Sequence, residues 1–266
     1  MGKKVVLGKV VSQTCIAPDI YDLRMETELA CEAKAGQFVG VYPKNAATLL
    51  PRPISICEAD AESKMLRLVY RIAGAGTAEF ATLTQGDEVR LLGTLGNGFP
   101  LVQALGKRVF LMGGGIGIPP MLELAKQLQT ASKAQGVQTK VTAILGYRDS
   151  QLFLSEDLAQ YAEVVIASED GSVGTKGNVL TAVSENNLSC DVIMACGPMP
   201  MLRAIKKYAS EQNIKAFISL EERMACGVGA CLGCVCKTTK VDDHSKVNNT
   251  RICTDGPVFD ADDVEI

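Results

Sequence analysis

Arg108-Val-Phe-Leu-Met112 runs directly into Gly113-Gly-Gly-Ile-Gly117-Ile-Pro-Pro120. A short apolar run, a glycine turn and two prolines read as a strand, a tight turn and a helix start. Proline suits the first helical turn, where N–H groups lack intrahelical partners. Downstream the alternation continues. MLELAKQLQTASKAQ, SEDLAQYA, GNVLTAVSENN and PMLRAIKKYASEQN read as helices, and TKVTAILGY, EVVIAS, DVIMACG and AFISLE as strands. Such an order predicts a doubly wound, parallel α/β domain over residues 103–221. A second glycine-bearing strand end is Cys196-Gly197-Pro198. Ligands of open α/β sheets gather at the carboxyl ends of strands. Gly113, Gly114, Gly115 and Gly117, with Cys196, Gly197 and Pro198, are therefore candidates for a dinucleotide site. A tight turn that binds nothing is the competing reading, since the motif is generic.

Upstream the texture differs. VVLGKVVSQTCIA, IYDLRMETELA, QFVGVYP, RPISICEA, MLRLVYRI and DEVRLLGTL read as strands separated by turn residues, and only TAEFATL reads as helix. Many short strands predict a closed antiparallel β-barrel over residues 1–102. Within it, Arg52-Pro53-Ile54-Ser55 offers a planar guanidinium suited to pyrophosphate, and a hydroxyl suited to a flavin edge. Val69-Tyr70-Arg71 ends a strand, and Gly76-Thr77 opens the short helix, where N–H groups face outward. Each fragment alone also reads as a surface ion pair or a barrel residue.

Beyond Glu221 the chain turns Gly- and Cys-rich, with too few large apolar residues for a core of its own. Of ten cysteines, five crowd into this stretch, spaced Cys226-x4-Cys231-x2-Cys234-x-Cys236, with Cys253 apart. Cytosolic disulfides are rare, so such a cluster points to a metal. The C-x4-C-x2-C…C rhythm is that of plant-type [2Fe–2S] centres. Small residues such as Gly227, Gly229, Ala230 and Gly233 let the backbone wrap the sulfides. Zinc is the competing reading, although zinc sites usually pair two short-spaced couples. Cys226, Cys231, Cys234 and Cys253 fit the rhythm, and Cys236 is left as a bystander.

The whole chain has 266 residues, 47% hydrophobic and 21% charged, with net charge −3. That balance argues against wholesale disorder, and the absence of a basic excess argues against nucleic acid as a partner. No apolar run reaches the ~18 residues of a membrane span. The N-terminal residues read as a strand rather than a signal peptide, so a cytoplasmic protein is expected. There is no Trp and only 5% aromatic residues, so aliphatic side chains must fill the core. The single histidine, His244, sits in a polar stretch and reads as solvated.

Taken together, Arg52-Pro-Ile-Ser55, Gly93-Thr-Leu-Gly-Asn-Gly-Phe99, the Gly113–Gly117 turn, Glu169-Asp-Gly-Ser-Val-Gly-Thr-Lys-Gly177, Glu222-Arg-Met-Ala-Cys-Gly-Val-Gly-Ala-Cys231 and Asp255-Gly-Pro-Val-Phe259 form a recognisable series. It resembles the ferredoxin–NADP reductase-like flavoproteins, and among them the electron-transfer subunits of NAD-dependent (type B) dihydroorotate dehydrogenases. The resemblance spans essentially the whole chain. It implies FAD held by Arg52, Pro53, Ile54, Ser55, Val69, Tyr70, Arg71, Gly76 and Thr77. It implies NAD(H) at Gly113–Gly117 and Cys196–Pro198, and a [2Fe–2S] cluster on Cys226, Cys231, Cys234 and Cys253 in a module over residues 222–266. It further implies an FMN-bearing catalytic partner, in a dimer of heterodimers, that interconverts dihydroorotate and orotate for pyrimidine synthesis. No catalytic acid or base is then needed on this chain. Thr94 stands where the family often has proline, and Cys236 is an extra thiol. Arg148 keeps NADP open, since a 2′-phosphate favours a nearby arginine. The alternatives are a subunit serving another NAD(P)H-linked oxidoreductase, ferredoxin- or sulfide-linked, and a metal-switch sensor. The sensor leaves Arg52-Pro-Ile-Ser55 and both glycine strand ends unexplained.

Overall fold

In the computed structural model, residues 4–45, 47–241 and 246–266 are described, and His244 lies outside them. The chain divides into two compact units. The first holds the chain up to Gly98 with Glu221–Cys236 and Thr250–Pro257. The second holds Phe99–Leu220, Lys237–Asn249 and Val258–Ile266.

The first unit begins with β1 (Val5–Ala17), β2 (Ile20–Glu26), β3 (Phe38–Tyr42), β4 (Arg52–Asp60), β5 (Met65–Arg71), α1 (Ala75–Phe80) and β6 (Glu88–Leu95). The strands pair in the order β1-β2-β5-β4-β3-β6, and β6 returns antiparallel to β1, which closes the barrel and leaves no edge. Side chains alternate along each strand, so one set fills the interior. That set is mostly aliphatic, including Leu23, Met25, Val39, Val41, Ile56, Leu66, Leu68 and Leu91, with Tyr70 and Phe80 as its large aromatics. The stretch Thr27–Ala30, read as the end of a strand, is instead a cap residue and the start of a 3₁₀ turn. The turn packs Leu29 and Ala30 into the barrel core, and burial there outweighs the β-pattern of the local sequence.

The second unit contains β7 (Arg108–Gly114), α2 (Pro119–Gln135), β8 (Lys140–Tyr147), α3 (Ser155–Ala159), β9 (Glu163–Ser168), β10 (Thr175–Lys176), α4 (Val179–Glu185), β11 (Val192–Cys196), α5 (Met199–Gln212) and β12 (Lys215–Ser219). The tail adds β13 (Val235–Thr238), β14 (Asn249–Arg251), β15 (Val258–Asp260) and β16 (Val264–Glu265). The large sheet runs β10-β9-β8-β7-β11-β12-β15. All its pairings are parallel except the last, where β15 lies antiparallel on β12 with Ile218 opposite Phe259. Strand order reverses between β7 and β11, so the topological switch point lies there. The tail is further tied to this unit by Lys206, whose ammonium donates to the Val264 carbonyl. A small sheet in the order β14-β13-β16 sets Thr238 opposite Val264. No described helix is long and apolar enough to cross a membrane.

Candidate functional site

In the second unit, β7 and β11 are neighbours in register, with Cys196 opposite Gly113. Both glycine strand ends therefore meet at the switch point. Their glycines are required first by packing. A Cβ on Gly117 would strike the Cys196 carbonyl and approach the Gly197 nitrogen to 2.6 Å. A Cβ on Gly197 would reach Met201 Cε at 2.6 Å, and one on Gly114 would stand 3.1 Å from Pro198 Cδ. Pro119 and Pro120 open α2 as read from the sequence, and the 17-residue helix ends on Gly136 in the left-handed region, φ +63°. Gly113, Gly114, Gly115, Gly117, Cys196, Gly197 and Pro198 are thus brought to one place. Exposed Arg148 follows β8, the strand on the other side of β7.

The barrel gathers its own set. Arg52-Pro53-Ile54-Ser55 lies on β4, which pairs with β5, and β5 ends on Val69-Tyr70-Arg71. The helix α1 follows at once, and Arg52 lies against it. A Cβ on Gly76 would approach Arg52 Nε to 2.6 Å, so only glycine leaves room for the guanidinium. Arg52 is held in place by donating from Nη1 to the Leu50 carbonyl at 2.6 Å. Thr77 Oγ1 accepts from the Ala73 and Gly74 nitrogens at 2.8 and 3.2 Å, which fixes the loop into α1. Tyr70 points into the barrel, 2% exposed, and its hydroxyl donates to Gln13 Oε1 at 2.9 Å, while Val69, next along the strand, faces the other side of the sheet. Gln13 in turn donates to the Phe80 and Leu83 carbonyls at 2.9 and 3.1 Å. Gln13 thereby ties the end of β5 to the end of α1, and no sequence motif marks it. A cradle lined by an arginine fork and a glycine fits the pyrophosphate of a flavin dinucleotide.

The cysteines that fit the rhythm all lie in the first unit. Cys226 and Cys231 lie close enough to perturb each other, as do Cys234 and Cys253. Among the described residues no three Cys, His, Asp or Glu side chains converge on one metal-ion position. Four neighbouring thiols on one loop and its returning tail fit the ligand set of a binuclear iron–sulfur cluster. The Val228 nitrogen donates to Cys226 Sγ and the Gly233 nitrogen to Cys231 Sγ, both at 3.4 Å. Burial works to raise the Cys226 thiol, but N–H groups of Val228, Cys231 and Ala230, with the Cys231 side chain, hold it at about 6. Burial and then the neighbouring Cys234 push Cys253 up to about 11. Backbone donors aimed at sulfur and small residues around it fit an iron–sulfur cluster. Gly227 and Gly229 have φ of +69° and +83°, a bend that favours glycine. The loop seats on the barrel, where a Cβ on Gly227 would meet Leu95 Cδ1 at 3.2 Å.

Cys236 sits beyond this set, half-buried, its thiol raised to about 11 first by burial. Val235 is exposed while Cys234 is buried and Cys236 half-buried, the alternation expected of an extended segment. Two of the stretches that carried the resemblance also dock together. Gly96, at φ +80°, leaves room for Pro257, and the Asn97 nitrogen donates to the Gly256 carbonyl at 2.7 Å. The sequence reading missed Arg251, whose ion pair with Asp255 flanks Cys253. The opposite charges four residues apart around a cysteine were the available signal.

Residues 221–265 match the family model described as the iron-sulfur cluster binding domain of dihydroorotate dehydrogenase B, and residues 111–207 match the oxidoreductase NAD-binding domain. A curated protein of Listeria monocytogenes serotype 4a, named dihydroorotate dehydrogenase B (NAD(+)), electron transfer subunit, is 43% identical over 97% of this chain and 98% of its own. The chain belongs to the family of dihydroorotate dehydrogenase B electron-transfer subunits. Among solved structures, an NADH-dependent reduced ferredoxin-NADP oxidoreductase, studied for flavin-based electron bifurcation, superposes with a TM-score of 0.85 at 25% identity, covering 98% of this chain and 90% of that one. A ferredoxin NADP+ reductase of Neisseria gonorrhoeae, solved with bound FAD and NADP, shares the fold with a TM-score of 0.66 at 20% identity, over 83% of this chain and 94% of that one. The barrel, the α/β domain and the iron–sulfur domain of this family are thus all present in the chain.

Proposed function

We propose that this chain relays electrons between NAD and an FMN-containing dihydroorotate dehydrogenase catalytic subunit. The observation that carries the reading is 43% identity to a dihydroorotate dehydrogenase B electron-transfer subunit along nearly the full length of both chains. The paired cysteines and the Arg52–Gly76 cradle support it.

A bound flavin exchanges two electrons with a nicotinamide and one at a time with an iron–sulfur cluster, which is why both groups belong on such a chain. The residues of the chain bind and orient them. Arg52 offers its fork to the FAD pyrophosphate, and Gly76 keeps that fork in place. Ser55 presents its hydroxyl to the flavin edge, while Pro53 and Ile54 hold the strand. Arg71, Val69, Tyr70 and Thr77 complete the site, Tyr70 through its tie to Gln13. Gly113–Gly117 and Cys196–Pro198 receive NAD(H) at the switch point. Cys226, Cys231, Cys234 and Cys253 hold the [2Fe–2S] cluster, and Cys236 stays outside. We assign residues 1–102 to FAD binding, 103–221 to NAD binding and 222–266 to the cluster. The site lies in the cytoplasm, and the complex is a dimer of heterodimers.

A second reading, a relay subunit for another NAD(P)H-linked oxidoreductase, draws on the likeness to the reduced ferredoxin-NADP oxidoreductase. Co-expression with the FMN-bearing catalytic subunit separates the two. A complex that reduces NAD⁺ with dihydroorotate is expected. A chain that oxidises NADH but neither binds that subunit nor supports orotate formation would overturn the first reading and leave the second.

A further inference from the structure

Arg251 lies two residues before Cys253, where the tail closes on the cysteine loop. Its Nε and Nη2 donate to Asp255 at 3.2 and 3.4 Å, and its backbone nitrogen donates to the same carboxylate at 2.9 Å. The hydroxyls of Thr250 and Thr254 donate to Asp255 as well, at 3.0 and 3.1 Å. The carboxylate is thus fixed by five donors, and the guanidinium is fixed by the carboxylate. The remaining arm, Nη1, stands 3.5 Å from the Gly229 carbonyl, inside the loop that carries Cys226 and Cys231. A Cβ on Gly229 would approach Thr254 Cγ2 to 2.9 Å and Arg251 Nη1 to 3.4 Å. Next to Arg251, the Ile252 nitrogen donates to the Cys234 carbonyl at 2.9 Å. One guanidinium and its neighbouring backbone therefore touch both the loop that carries Cys226 and Cys231 and the segment that carries Cys234.

We infer that Arg251, with Asp255 as its counter-charge, tunes the reduction potential of the cluster. The inference rests on the functional reading above and names a positioning pair within it. Reduction of a cluster adds one negative charge. A fixed guanidinium nearby favours that state, and a fixed carboxylate opposes it. The Arg251 and Asp255 side chains are 42% and 37% exposed, so solvent and salt screen much of the effect. A shift of about two- to fivefold in the reduction equilibrium is the scale of one charge at such a site.

The test is a redox titration followed by electron paramagnetic resonance on the anaerobically purified full chain. Arg251→Gln should make the cluster about two- to fivefold harder to reduce, and Asp255→Asn should make it easier by a similar factor. Arg251→Lys should titrate close to the parent. The double variant Arg251→Gln/Asp255→Asn, which loses the clip but restores the charge balance, should return toward the parent potential. If instead the variants lose cluster while the retained fraction titrates at the parent potential, the pair is structural only and the inference is overturned. Iron and sulfide analysis of the parent chain is read before the titration. A parent without a cluster overturns the functional reading itself, a different result from unshifted potentials.

Discussion

Gly117 stands directly against the backbone of Cys196, with no space for a Cβ between the turn after β7 and the end of β11. The glycine turn is therefore shaped by its neighbouring strand as well as by any phosphate. Because β7 and β11 flank the switch point, whatever separates them disturbs the cleft proposed for the dinucleotide.

Gly117→Ala should cost about 1–3 kcal/mol of stability through overpacking. It should also raise the KM for NADH more than it lowers the rate at saturation. Thermal melting and steady-state NADH oxidation with a dye acceptor check both. A variant with parent stability and parent KM would mean that the turn yields freely.

Arg52→Ala should lose FAD on gel filtration while the barrel stays folded, because the guanidinium lies on the barrel surface rather than in its core. Gly76→Ala should weaken FAD binding nearly as much, since its methyl group occupies the place of the Arg52 fork. Fluorescence titration of the flavin-free protein measures each. Tight binding by Gly76→Ala would show that Arg52 finds another equally good position.

Cys231→Ala should abolish cluster absorbance and orotate formation, yet leave FAD bound and reducible by NADH. Cys236→Ser should keep the full iron and sulfide content. Loss of cluster from Cys236→Ser, with retention in Cys253→Ser, would reassign the fourth ligand. Loss of FAD from Cys231→Ala would show that the cysteine loop, seated on Leu95 of the barrel, also supports the flavin site.

In the second unit the exposed Arg108–Asp191 pair joins the start of β7 to the residue before β11, at 2.6 Å. Hydrogen bonds from the Arg108 side chain and backbone hold the Asp191 carboxyl at about 2. A depressed carboxylate contributes stability above its unfolded value, ~3.9, and loses it as pH falls toward the folded one. Asp191→Asn should therefore melt below the parent at neutral pH, with the gap closing between pH ~4 and ~2. A gap that stays constant over that window would assign the loss to packing rather than charge.

Apart from β10, the strands and helices from β7 to β12 were legible from their apolar periodicity, several of them with a glycine, proline or asparagine at a boundary. The two-residue β10 and, further on, the three-residue β15 were not legible. Pairs such as Ile218 with Phe259 are made across some forty residues, and nothing local encodes them. The stretch Thr27–Ala30 misled because its alternation suits a strand, while the barrel interior needed Leu29 and Ala30. At the site, cysteine spacing and the Arg-Pro-Ile-Ser segment pointed to ligands. The pairing of Cys226 with Cys231 and of Cys234 with Cys253 depends on how the loop bends, as does the reach of Arg251 to Gly229. Gln13 lies on an alternating strand like its neighbours, and only the fold shows that it ties Tyr70 to α1.

The central claim is that one chain holds a flavin and a binuclear cluster that NADH can fill with electrons. An anaerobic visible spectrum of the purified chain, before and after NADH, with iron, sulfide and zinc analysis, tests it most directly. Flavin bands with two irons and two sulfides per chain, bleached by NADH, are the expected result. Zinc without flavin, or a spectrum that NADH leaves unchanged, would contradict it.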